Sequence, residues 1–106
     1  MAKRKFTKYP VLAGTRFNLS ESDTEMVLNL AEDMLYQTYE NYPEYSQNEA
    51  YHCVLDHVIL VITEMDDDNM YSEDVKQVAS HKNSRFRQMI RNCVKEHYNE
   101  YRWEDI

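Results

Sequence analysis

Apolar residues return every three or four positions in three long stretches of this chain, and two of those stretches open on a serine with a glutamate three residues later. The first runs through Met26, Val27, Leu30, Ala31, Met34, Leu35 and Thr38 and predicts an amphipathic helix over about residues 23–41. Ser22-Asp23-Thr24-Glu25 in front of it has the form of a capping box, and Pro43 behind it stops the helix. Ser46-Gln47-Asn48-Glu49 repeats the device ahead of Ala50, Tyr51, Val54, Leu55, Val58, Ile59, Val61, Ile62 and Met65, so a second helix is predicted over 47–65. Its run Val58-Ile59-Leu60-Val61-Ile62 is mostly β-branched and strand-like in isolation, yet it lies inside a capped helical period. Being apolar on almost all sides, this helix is expected at the centre.

Ser72 followed by Glu73 and Asp74 begins a short third helix over 73–80, where the carboxylates meet the positive end of the helix dipole. Phe86, Met89, Ile90, Cys93, Val94, His97, Tyr98 and Tyr101 share one face of a fourth, over 84–102. The expected fold is therefore all-α, a small bundle of about four helices. Residues 1–19 have no helical period and read as an extended basic arm; residues 20–106 read as a single acidic helical domain. One glycine and two prolines in 106 residues support this, because they leave few positions for turns that demand positive φ.

Two further exclusions come from composition. No apolar run approaches the roughly 18 residues of a membrane span, and Val11-Leu12-Ala13 is too short for the core of a signal peptide, so a cytoplasmic protein is expected, in the host cytoplasm if the source is viral. Cys53 and Cys93 are forty residues apart with no Cys-x-x-Cys, which fits reduced thiols rather than a disulfide framework.

Charge changes the picture more than its net value of −7 indicates. Lys3, Arg4, Lys5, Lys8 and Arg16 give the first sixteen residues a charge of +5; residues 17–75 hold fifteen acids and no lysine or arginine; residues 76–106 hold seven bases and four acids. A solvated helix ordinarily intersperses lysine at i+4 from its carboxylates, and here none is available. On the first helix Glu25, Glu32, Asp33 and Glu40 are expected opposite the stripe of Met26, Leu30 and Met34, with Tyr36 among them, as a solvent-facing acidic ridge. Glu64, Asp66, Asp67 and Asp68 are the densest part of the acidic block, and replacing the three aspartates by asparagine is expected to leave the fold as stable or more so.

Motifs for chemistry are few. An EF-hand begun at Asp66 fails at Met70, Tyr71 and Gln77, where a ligand, a glycine and a bidentate glutamate are required. Cys53 with His57 and Cys93 with His97 each place a thiol and an imidazole one turn apart, but the second pair falls on an apolar face, where a buried thiol and a hydrogen-bonded histidine are the ordinary explanation. Glu49-x-x-His52 lacks the second copy that a di-iron helix bundle needs. No phosphate loop or nucleophile elbow occurs. No cofactor, metal or catalytic residue is expected, and the protein is read as non-enzymatic.

A rigid ridge of carboxylates can compete for the basic channel of a nucleic-acid-binding protein, since duplex DNA carries one negative charge per ~1.7 Å. In size, acidity, helicity and aromatic content the middle of this chain is similar to the small acidic DNA-mimic inhibitors made by bacteriophages. That resemblance implies a regulatory or inhibitory role in which Glu25, Glu32, Asp33, Glu40, Asp66, Asp67 and Asp68 supply the field. Tyr36 and Tyr39, from a series continued by Tyr42 and Tyr45, would supply contact area to a basic partner protein. The alternative is a small nucleic-acid binder that uses Lys3, Arg4, Lys5 and Lys8 of the arm with Arg87, Arg91, Lys95 and Arg102 of the last helix. A third arrangement sets the basic segments against the acidic middle, within one chain or between two copies of it.

Overall fold

Leu19, fully buried, anchors the chain just ahead of its first helix. That anchoring makes the next residue, Ser20, the cap: its hydroxyl accepts from the Asp23 amide at 3.0 Å, and α1 runs Glu21–Asn41. The helix thus begins two residues before the position predicted from Ser22, and it gains Glu21 and Asp23 in its first turn, next to the positive end of the dipole. In this computed structural model the described residues are 19–101, so the expected arm of residues 1–19 falls outside them except for Leu19.

α2, Gln47–Glu64, starts on the full capping box: Glu49 N donates to Ser46 Oγ at 3.2 Å and Ser46 N donates to Glu49 Oε1 at 2.9 Å. Its β-branched run is helical, with Val58 and Ile62 in the core and Leu60, half a turn away, exposed. α3, Glu73–Ser80, is capped by the Ser72 hydroxyl, which accepts from Val75 N. α4, Ser84–His97, is capped by the buried Asn83 side chain and tightens into a 3₁₀ turn, Tyr98–Glu100, before the predicted limit of 102.

The four helices form an all-α bundle. α1, α2 and α4 pack against one another, and α3 lies against α2, which gives α2 the central place its sequence predicted. Tyr98 Oη donates to the Tyr45 carbonyl at 2.7 Å, returning the end of α4 to the α1–α2 turn. Leu35, Val54, Val58, Ile62, Phe86, Met89 and Ile90 are fully buried between the helices. Burying side chains of this size stabilises by about 1.5–3 kcal/mol each.

Scarcity of glycine does not remove positive φ from the turns, contrary to the expectation from composition. Asn69 has φ 56° and Lys82 φ 51°. Asparagine reaches this region at small cost; lysine does so because the end of α3 is a Schellman motif, with Asn83 N bonded to Val78 O and Lys82 N to Ala79 O, both at 3.0 Å. Among the described residues no helix is long and apolar enough to cross a membrane.

Candidate functional site

The core stripe of α1 is Thr24, Val27, Ala31, Leu35 and Thr38, while Met26, Leu30 and Met34 are only partly buried. The helix is therefore rotated from the predicted orientation. Glu25, Asp33 and Glu40 are exposed as expected, but Glu32, which follows Ala31, turns into the seam with α4. Half-exposed at the edge of the ridge, it meets His97, with Glu32 Oε2 3.4 Å from Nε2.

Four of the predicted residues, Asp33, Tyr36, Tyr39 and Glu40, come together at the C-terminal half of α1. Tyr36 Oη donates to Glu40 Oε2 at 2.6 Å. Tyr101, arriving from the end of α4, stacks on Tyr39 at 5.1 Å between centroids and meets Tyr36 at 5.6 Å. The Tyr36 phenol is raised from its usual pKa by the Glu40 hydrogen bond and then by that carboxylate's charge. Tyr101 is raised by burial first, then by the charges of Glu100, Glu32 and Asp33. Aromatic rings and carboxylates thus share one continuous surface. Tyr101 was legible only as part of an apolar face; its place here is set by the way α4 ends. Tyr42 and Tyr45 stack on each other at 4.8 Å.

The loop between α2 and α3 adjoins the same helix. Ser72 Oγ donates to Asp23 Oδ2 at 2.8 Å, and Tyr71 is raised by burial and by the charges of Asp66 and Asp33. Asp33 therefore lies within electrostatic reach of both the loop and the tyrosine cluster. Asp67 and Asp68 are exposed at the turn.

Asp66 is a different kind of residue from its two neighbours. Its side chain is 5% exposed and accepts from Met70 N at 2.8 Å and Tyr71 N at 2.9 Å, while Lys76 Nζ stands 3.3 Å away and also bonds Asn69 Oδ1. Burial pushes its pKa up, yet the two amides and the ammonium outweigh this and hold the carboxyl below the usual value. Asp66 is thus a knot in the loop and not a free surface charge. The expectation that replacing it by asparagine leaves the fold as stable or more so runs against this geometry, because the oxygen that Tyr71 N and Lys76 share would become an NH2 donor.

Arg87, Arg91 and Lys95 are exposed along α4, as their spacing predicts. Two have internal partners: Arg87 Nε donates to Lys82 O at 2.9 Å, and the Arg91 guanidinium lies 4.0 Å above the Tyr51 ring of α2. Lys3, Arg4, Lys5, Lys8 and Arg102 lie outside the described residues. Among the described residues, Lys76 with Asp66 is the single contact between a lysine or arginine and a carboxylate within ion-pair distance.

The two Cys-x-x-x-His pairs have separate surroundings. Thr38 Oγ1, which donates to the Met34 carbonyl at 2.7 Å, lies 3.5 Å from Cys53 Sγ, and His57 Nδ1 gives its proton to the Cys53 carbonyl at 2.8 Å. Cys93 and His97 are instead joined by Glu32, and one donor atom from each of the three lies within 4.8 Å of the others. The Cys93 thiol is pushed up to about 12, first by burial and then by Glu32, Glu96 and Glu100. Comparison with family models, with curated proteins and with solved structures gives no match.

Proposed function

We propose that this chain is a non-enzymatic regulatory or inhibitory protein, of the kind phages encode as DNA mimics, that offers its acidic, tyrosine-bearing flank to a basic nucleic-acid-binding surface of a partner protein. The observation that carries this is the continuity of the flank. Asp33, Tyr36, Tyr39 and Glu40 join Tyr101 in one patch, and Asp33 connects that patch electrostatically to the loop of Asp67 and Asp68. These carboxylates have no lysine or arginine within ion-pair distance among the described residues. Acids left unpaired in this way repel one another, a cost that a few lysines would remove, whereas a basic partner turns the same repulsion into binding free energy. Glu25 extends the flank toward the start of α1, and Glu32 and Asp66 are engaged in internal contacts.

The test is capture of partners from the source cell with the wild-type protein and with an Asp33→Asn, Glu40→Gln, Asp67→Asn, Asp68→Asn variant that keeps Asp66. A partner held by the flank is lost from the variant and is released from the wild type by added duplex DNA. A partner that binds both proteins equally and ignores DNA would sink the proposal. The second reading, nucleic-acid binding through Arg87, Arg91 and Lys95, draws on their shared exposed side of α4. A gel shift at low salt separates the two, with no retardation of DNA expected from a chain of net charge −7.

A further inference from the structure

The seam between α1 and the end of α4 concentrates donor groups of a kind found nowhere else among the described residues. Glu32 comes from α1, Cys93 and His97 from successive turns of α4, and their donor atoms lie within 4.8 Å of one another. His97 is already oriented: Nδ1 meets Glu100 Oε2 at 2.9 Å, a full hydrogen bond in which the ring donates and the carboxylate accepts. With Nδ1–H committed, Nε2 points at Glu32 Oε2 at 3.4 Å and at Glu96 Oε1 at 3.8 Å. Both distances are longer than the usual N–H···O bond of about 2.7–3.2 Å.

The spacing suits a shared metal ion. Two ligands about 2.0–2.1 Å from a tetrahedral zinc lie about 3.3–3.4 Å from each other, which is the observed separation of His97 Nε2 and Glu32 Oε2. The widest spacing in the set, within 4.8 Å, has to close by about 1 Å to match ligands on one zinc, a shift of rotamer size. Glu100 on the far nitrogen is the outer carboxylate that metal-bound histidines use to fix the tautomer and strengthen the donor. Access is available through Glu32, whose side chain is 46% exposed.

We propose that Glu32, Cys93 and His97 form a binding site for a zinc-class divalent ion, with Glu100 as the outer partner of His97. The ion takes Cys93 as thiolate, and the thiol proton passes to solvent. Its fourth position belongs to water or to the flanking Glu96. Bound there, it ties the end of α4 to the middle of α1, just before Tyr101 joins the tyrosine patch.

Titration of metal-free protein with Co²⁺ and then Zn²⁺ tests the site, with circular dichroism to confirm that each variant is folded. One equivalent of Co²⁺ is expected to give a sulfur-to-cobalt charge-transfer band and the visible absorption of tetrahedral cobalt, both removed by one equivalent of Zn²⁺. The band persists in Cys53→Ser and disappears in Cys93→Ser. Glu32→Gln, at a half-exposed position that the fold tolerates, weakens binding at least tenfold, and Glu100→Gln weakens it by about 10–100-fold. Absence of the band in the wild type, its loss in Cys53→Ser, or unchanged affinity in folded Glu32→Gln would each overturn the assignment. None of these readings depends on a basic partner, so this site and the acidic flank stand or fall separately.

Discussion

Asp66 shows how far one carboxylate in an acidic cluster can differ from the next. Asp67 and Asp68 hold out charge to solvent, whereas Asp66 is turned inward to two amides and Lys76. Asp66→Asn is therefore expected to lower the thermal midpoint, and the paired Asp67→Asn, Asp68→Asn variant to leave it level or raise it. The pH dependence has a definite sign. A carboxyl held below its ordinary pKa stabilises the fold while ionised; that contribution is complete above the unfolded value of about 3.9 and disappears as pH falls through the lower folded value. Thermal melts repeated from pH 6 downward should show a loss below about pH 4 that is smaller in Asp66→Asn than in the wild type. Thr24 is the opposite case. It is buried in the core stripe of α1, and its hydroxyl has no hydrogen-bond partner among the described residues. Thr24→Val keeps the branched shape and removes an unmet polar atom, so a gain of about 1 kcal/mol in denaturant melts is expected.

At the level of elements, the sequence was most legible where a local signal and the hydrophobic period agreed. The Ser46–Glu49 box and the Ser72 cap fixed the starts of α2 and α3 because hydroxyl, acid and apolar run lie within one turn. The start of α1 was read two residues late because Ser20 and Ser22 both precede acids, and the burial of Leu19, a tertiary fact, chooses between them. That small difference accompanies a larger one: the buried stripe runs through Val27, Ala31 and Leu35, which brings the half-exposed Glu32 up to α4. The meeting of Glu32 with Cys93 and His97 had no local signal at all, since it joins positions more than sixty residues apart. The turn after α3 was missed for another reason. A Schellman ending is usually announced by glycine, and here Lys82 occupies the left-handed position. Lys82→Gly should stabilise by about 1 kcal/mol in equilibrium unfolding, because it relieves the Cβ clash while the carbonyl that receives Arg87 Nε is kept.

At the scale of the described molecule, Arg91 and the acids around His97 engage α4 through different neighbours. Arg91 leans over Tyr51 toward α2, while Glu32 and Glu96 approach His97 on the side of α1. The intramolecular clasp of basic segments over the acidic middle reduces, among the described residues, to Lys76 with Asp66. A fold held by many surface ion pairs loses stability as salt screens them; a fold that carries unpaired like charges gains it. With a Debye length of about 10 Å at 0.1 M salt, most of the repulsion along the α1 flank and the 66–68 loop is removed between 10 mM and about 0.5 M KCl. The thermal midpoint is expected to rise over that range. A Glu40→Gln, Asp67→Asn, Asp68→Asn variant should start higher at low salt and rise less, because it has less repulsion to screen. The same titration applied to a complex with a basic partner must run the other way, with affinity falling as salt rises. Salt that strengthens the free protein and weakens its complex is the joint signature of an acidic flank kept for binding. A midpoint that falls with salt would mean instead that the acids are paired within the protein, and the proposed role of the flank would fall with it.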